Sequence, residues 1–262
     1  MATQFPFPDK FVIGVVHLKP LPGSPRFQGG VEKAALRDAK ALSEGGVHGI
    51  IVENFGDAPF FPGRVEPHTV AVMTALCRKI GSTIDLPIGV NVLRNDGHAA
   101  LGIACACNAS FIRVNVFTGA AVTDQGVIQG EAHSLLRYRK AIEAECAILA
   151  DVHVKHATPL GNGSIADAAK DTYHRGGADA VIVTGSATGS SVDLEELSLV
   201  REALPDAPVI AGSGVTEKNV KDVLALADGA IVGTWFKRGG KPPAPVDAKR
   251  VRKLMEQRTG SH

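Results

Sequence analysis

AVIVTGSATGS (180–190), APVIAGSGVTEKNV (207–220) and GAIVGTWFKRG (229–239) decide the fold. Three short apolar runs, near 180–183, 208–212 and 229–232, each end in glycine plus a small hydroxyl residue, with helical patterns between them. The last two endings, Gly212-Ser213-Gly214 and Gly233-Thr234, read as the phosphate-gripping end of a (β/α)8 TIM barrel. Glycine lets the backbone come close to a dianion there, and N–H groups at a turn or helix start can cradle it.

Upstream, five more strand–helix units can be read. Their strands are FVIGVV (11–16), GIIVE (49–53), PIGVNVL (87–93), SFIRVNV (110–116) and AILADVHVKH (147–156). The repeat is about 30 residues, and the strand cores are apolar, as strands buried on both sides must be. An open doubly wound sheet is the rival, but no GxGxxG follows the first strand. The expectation is one barrel over residues 1–262, with residues 1–10 as a lead-in across its bottom. Three connections, 17–30, 54–67 and 117–130, are long. The second, rich in glycine, proline and aromatics, reads as a lid or substrate loop, with Asp57 and Arg64 as candidates to close over a ligand. Ser164 and Thr216 read as helix caps.

Composition agrees. The chain has 262 residues, 45% apolar, with 29 glycines and 5% aromatics. That suits many tight strand–helix turns. With 28 Lys+Arg against 27 Asp+Glu, nothing supports a nucleic-acid surface. Cys77, Cys105, Cys107 and Cys146 lack zinc spacing and read as small buried thiols. No run reaches the length of a membrane span, and the first residues lack the long apolar stretch expected of a signal peptide. A cytoplasmic protein is expected, and homo-oligomerisation is the expectation for such a barrel.

Strand periodicity then selects the side chains of the mouth, because alternate residues share a face. In the fifth strand Asp151, His153 and Lys155 alternate with Val152 and Val154, which would pack against outer helices. In the fourth, Arg113 and Asn115 alternate with Ile112, Val114 and Val116. Asn91 sits between Val90 and Val92, Glu53 ends the second strand, and His17 and Lys19 continue the parity of Val15. Lys19, Arg113 and Lys155 would thus face Glu53 and Asp151, with two histidines adding charge. Either these groups form an ion-pair network or they surround an anionic substrate.

Lys155 is a candidate Schiff-base nucleophile or an electrostatic clamp on an enolate. Asp151 would orient His153 as a general base, or bind a divalent ion. Glu53 is a second acid or base, and His17 precedes a proline-stiffened loop. Asp151, His153, Lys155, Glu53 and His17 are therefore the catalytic candidates. Lys19, Asn91, Arg113, Asn115, Thr184 and Asp57 are the substrate-binding ones. Gly212, Ser213, Gly214, Gly233 and Thr234 are assigned to phosphate. No cofactor is called for, with a divalent metal ion as the open alternative.

The segments GVVHLKPLPGSPRF (14–27), VENFGDAPF (52–60), RVNVFTGAAVTDQGVIQG (113–130), DVHVKHATPL (151–160) and VIVTGSATG (181–189) together closely resemble the BtpA family, over nearly the whole chain. The resemblance implies a barrel of the ribulose-phosphate-binding type. For the cyanobacterial namesake it implies a thylakoid-associated role in photosystem I biogenesis; other relatives are found beside sugar-transport or metabolism genes. It adds weight to His17, Lys19, Glu53, Asn54, Asp57, Arg113, Asn115, Asp151, His153, Lys155 and Thr184, and assigns none of them a catalytic role. The expected function is acid/base chemistry on a small phosphorylated sugar or nucleoside-like compound, by an isomerase, epimerase or lyase. The rivals are a non-catalytic assembly factor with an exposed apolar patch, and a metal-dependent phosphohydrolase using Asp151 and Glu53.

Overall fold

Eight parallel strands close on themselves in a computed structural model of the chain, which describes residues 7–161, 163–185 and 193–259. The chain runs β1 (Phe11–His17), α1 (Val31–Glu44), β2 (Gly49–Glu53), α2 (Pro67–Gly81), β3 (Ile88–Asn91), α3 (Gly97–Cys107) and β4 (Phe111–Val114). A hairpin of β5 (Ala120–Thr123) and β6 (Gly126–Gln129) follows, then α4 (Ala132–Ala141), β7 (Ala147–Val152), β8 (Ala157–Pro159) and α5 (Ile165–Lys170). The last elements are β9 (Ala180–Val183), α6 (Leu194–Ala203), β10 (Val209–Ala211), α7 (Val220–Leu226), β11 (Gly229–Val232) and α8 (Ala248–Thr259). The barrel order is β1-β11-β10-β9-β7-β4-β3-β2. This is the (β/α)8 TIM barrel that the glycine-ended strands foretell. Of the segment read as a glycine turn after β9, residues 186–192 lie outside the described residues, as do residues 1–6 of the lead-in.

Each strand has two apolar rows because its side chains alternate. Val12, Val16, Ile50, Val52, Val90, Ile112, Ile148 and Ala150 point outward into one large cluster with the helices. There α1 contributes Val31, Ala35, Ala39 and Leu42, spaced for one helical face. Phe11, Ile13, Val15, Ile51, Phe111, Leu149, Ile182, Ile210 and Ile231 fill the barrel interior. Its floor is a phenylalanine cluster: Phe7 stacks on Phe11 at 4.6 Å and meets Phe111 edge-on at 5.3 Å. The rings fit because Gly229 and Gly89 lie opposite, where a Cβ would overlap Phe11 and Phe111. The interior is thus packed below and opens only at the C-terminal ends of the strands.

Two connections differ from the sequence reading. Residues 117–130 carry the β5–β6 hairpin rather than an irregular loop, and β8 pairs with β5 to make a three-stranded sheet at the mouth. The fifth barrel strand, β7, ends at Val152, because His153 takes left-handed backbone (φ 51) and breaks the ladder. Val154 therefore packs under the small sheet with Val116, Ala121 and Ile128, not against an outer helix. Ser164 caps α5 as expected, accepting from the Asp167 N–H at 3.1 Å. Thr216 lies four residues before α7 and caps no helix; its hydroxyl accepts from the Lys218 N–H at 3.3 Å. Cys77 and Cys146 are buried, but Cys105 is exposed.

Candidate active site

The interior rows change character one step above the last apolar layer. His17 follows Val15, Glu53 follows Ile51, Asn91 follows Gly89, Arg113 follows Phe111 and Asp151 follows Leu149. Register sets His17 beside Glu53 and Glu53 beside Asn91 on adjacent strands. Arg113 grips Asp151 with two bonds, Nε to Oδ1 at 3.1 Å and Nη2 to Oδ2 at 3.0 Å. The Asn115 amide also donates to Asp151 Oδ2, at 2.8 Å, and Asn91 donates to Asn115 Oδ1 at 3.0 Å and to the Arg113 carbonyl at 3.1 Å. The side chains of Asn91, Arg113, Asn115 and Asp151 are all buried. The ion-pair network anticipated in the sequence thus exists for Arg113 and Asp151.

It does not extend to Lys155. No hydrogen bond or ion pair holds its ammonium among the described residues; only its backbone is fixed, the N–H by Thr184 Oγ1 and the carbonyl by Arg94. Burial, then Arg113, pushes the Lys155 pKa down, against the pull of Glu53 and Asp151. Burial drives the Glu53 carboxyl upward despite Arg113 and Lys155. His17 is held well below the usual range by burial and by the cations Lys237, Lys155 and Arg113. The lowered pKa favours the neutral ring, which touches Glu53 Oε1 at 3.7 Å. Its buried Nδ1 has no hydrogen-bond partner among the described residues, and its ring packs on Phe55 at 4.5 Å.

Two cavities share this floor. One, of about 450 Å³, runs from His17, Glu53, Arg113 and Lys155 to the Gly212-Ser213-Gly214 and Gly233-Thr234 turns. The other, of about 830 Å³, runs from the same residues under the β1 and β2 loops to Arg37, Asp38 and Lys237. His17, Glu53, Phe55, Arg113, Lys155 and Pro242 line both. The larger one is cationic: Lys19, Arg26, Arg37, Arg94, Arg113, Lys155 and Lys237 line it, against Asp38, Glu53 and Asp124. Gly233 keeps the smaller one open, since a Cβ there would stand 2.9 Å from His17 Cε1. Ser213 Oγ accepts from the Gly185 N–H at 2.9 Å, tying the β10 turn to the end of β9.

Not all of the other candidates reach these cavities. Lys19 is exposed at the rim, and Asn91 and Thr184 are buried beneath it as supports. His153 leaves the mouth: it lines a separate cavity of about 210 Å³ behind Asp151, with Thr118, Asp171 and Thr172. Asp57 lines neither of these two cavities; it accepts from the Leu21 N–H at 2.7 Å and from Asn54 at 3.3 Å, stapling two loops. Arg64 bonds Asp96 at 3.1 Å rather than reaching over the mouth. Both Asp151 oxygens already accept from Arg113 and Asn115, and among the described residues no three His, Cys, Asp or Glu side chains gather as a metal site. Arg94 and Lys237 escaped the sequence reading. Each is a basic residue just past a strand's C-terminal end, and that position was the available signal.

Residues 8–260 match the model of the BtpA family. The chain belongs to the BtpA family. An uncharacterized protein of Thermococcus kodakarensis is 51% identical over 253 residues, 95% of each chain. The photosystem I biogenesis protein BtpA of Synechocystis is 49% identical over 94% of this chain and 86% of its own. The SgcQ protein of Escherichia coli is 36% identical over 95% and 94%. Among solved structures, N-(5'-phosphoribosyl)anthranilate isomerase of Pyrococcus furiosus superposes with a TM-score of 0.62 at 15% identity, covering 96% of this chain and 100% of that one. Orotidine 5'-phosphate decarboxylase of Pyrococcus horikoshii gives 0.62 at 15%, covering 95% and 100%. At that identity the likeness to these two is one of fold. No helix among the described residues is long and apolar enough to cross a membrane.

Proposed function

We propose that this BtpA-family barrel is an enzyme that acts on a small phosphorylated sugar or nucleoside-like metabolite by acid/base chemistry, as an isomerase, epimerase or lyase. One observation carries the reading. Glu53, Lys155, Arg113 and His17 line both the cavity that ends at the glycine turns and the cationic cavity beside it. A phosphate seated at Gly212–Gly214 and Gly233–Thr234 puts the rest of its sugar against those four side chains.

Their environments suit proton transfer next to a carbonyl. A carboxyl raised toward neutrality gives and takes a proton without a large penalty either way, and Glu53 fills that role. Lys155, without a counter-ion among the described residues, and Arg113 oppose the negative charge that develops on the carbonyl oxygen. Neutral His17 offers Nδ1 as a further partner. The solved neighbours named for isomerase and decarboxylase chemistry on phosphorylated substrates support this use of the fold. The test is solvent exchange: a panel of ketose and aldose phosphates in D₂O, followed by ¹H NMR, should show deuterium entering a C–H beside the carbonyl. Glu53→Gln should remove it. A panel with no exchange, or a Gln variant as fast as wild type, sinks the reading.

A second reading, a non-catalytic assembly factor, follows the name of the Synechocystis relative and has one observation of its own. Val122, Val127 and Leu160 lie 43%, 54% and 54% exposed on the outer face of the β6-β5-β8 sheet. On this reading that face holds a protein partner and the mouth is dispensable.

A further inference from the structure

The larger cavity continues past Glu53 and Lys155 to a far end that the proposed proton transfer does not use. Lys19, Arg26, Arg37 and Lys237 line the cavity there, and two of them, Arg37 and Lys237, bond the carboxylate of Asp38. Lys237 is 1% exposed, and its Nζ donates to Asp38 Oδ2 at 2.9 Å. Asp38 Oδ1 accepts from Arg37 Nε and Nη2 at 2.9 and 2.7 Å, and from the Val246 N–H at 3.3 Å. One carboxylate thus serves two cations, and the floor of this end stays net positive.

At the rim, Lys19 and Arg26 have no ion-pair partner among the described residues. Gly30 opens α1 with φ 69 and without a side-chain cap, and Lys19 Nζ lies 3.9 Å from where a Cβ on Gly30 would stand. The lysine and the unsatisfied N–H groups of the first turn therefore share one corner. Positive charge collected in a cleft without a matching anion is unfavourable, and an anion relieves it.

We propose that this far end is a second anion subsite, which takes a second phosphate group of the substrate. The substrate class is then a bisphosphorylated small metabolite, anionic at both ends, with Glu53 and Lys155 between them. The proposal rests on the reading of the β10 and β11 turns as the first phosphate seat.

Inorganic phosphate, titrated against the whole chain by ³¹P NMR at constant ionic strength, separates the two seats. Two saturable sites per chain are expected. Lys19→Ala/Arg26→Ala, both exposed and outside the core, should remove one and keep the other. Thr234→Asp, which sets a carboxylate in the smaller cavity, should do the reverse. By calorimetry, a ketose bisphosphate should bind at least about tenfold tighter than its monophosphate. The Lys19→Ala/Arg26→Ala variant should lose that advantage, with circular dichroism showing an intact fold. A double variant with wild-type stoichiometry, or a bisphosphate no tighter than the monophosphate, overturns the second subsite. A wild-type chain that binds phosphate only at the Lys19/Arg26-sensitive site, with Thr234→Asp changing nothing, would instead overturn the reading of the turns and leave the far subsite supported.

Discussion

Removing Asp151 should destabilise the barrel far more than removing it together with Arg113. The two side chains are 0% and 4% exposed, and they hold each other through bonds of 3.1 and 3.0 Å. At such a separation, with an effective dielectric of about 20, the attraction is about 5 kcal/mol. Most of it offsets the desolvation of two buried charges. Asp151→Ala forfeits the attraction but keeps the buried guanidinium, and it also strips Asn115 of its acceptor. The expected loss is about 3–5 kcal/mol. Arg113→Met/Asp151→Leu removes both charges at similar volume and should cost no more than about 2 kcal/mol, chiefly for the orphaned Asn115 amide. Equilibrium urea unfolding reads both, followed by far-UV circular dichroism and by the chain's single tryptophan, Trp235. Coincident curves from the two probes license the free energies. A loss below about 1 kcal/mol for Asp151→Ala, or a double variant as costly as the single, would refute the view that this pair is a mutually dependent buried unit.

Other consequences follow from the same geometry. Lys155→Ala should weaken binding of a sugar phosphate by about tenfold or more, since a charge-assisted contact contributes about 1.5–3 kcal/mol; quenching of Trp235, which lines the smaller cavity, is the readout, and unchanged binding removes Lys155 from the site. Gly233→Ala should cost about 1–3 kcal/mol in unfolding experiments, because its Cβ would press on His17 at 2.9 Å; full stability would contradict the packing described. His17 binds its proton less readily folded than unfolded, so its neutral burial favours the fold above the unfolded pKa near about 6.5 and is lost as pH falls below it. His17→Gln should therefore flatten the acid limb of the Tm–pH curve below about pH 6.5; an identical limb would show that His17 does not shape it. Val122→Ser/Val127→Ser should leave solvent exchange untouched; lost exchange would mean that the outer face of the small sheet acts on the mouth.

Much of this arrangement was legible in the residues, for a definite reason. Where a strand stays regular to its end, period two fixes which side chains face inward, and it did so for His17, Glu53, Asn91, Arg113 and Asp151. The reading broke where the backbone left the pleat. DVHVK alternates as a strand should, yet β7 stops at Val152 and His153 turns left-handed, so its side chain leaves the mouth while Lys155 reaches it through a loop. Nothing local in a β-branched run marks that stop. The hairpin at 120–129 has its turn residue in Gly126 (φ 96), but each arm is only four residues long, too short for alternation to stand out. Arg94 and Lys237 lie beyond strand ends, where periodicity no longer applies and only the fold brings a charge back to the cavity. Charge counting left open whether the mouth held a network or a ligand. The structure divides the groups: Arg113 is matched by Asp151, whereas Lys155, Lys19 and Arg26 are left unmatched among the described residues.

The central claim is that polar strand ends and two glycine turns form one anion-binding mouth. A crystal soaked in arsenate, a heavier mimic of phosphate with a usable anomalous signal, tests it most directly. The account predicts an anomalous peak between the Gly214 and Thr234 turns, on the side facing Lys155. An empty mouth at saturating arsenate, or a peak only at sites remote from Glu53 and Lys155, would contradict it.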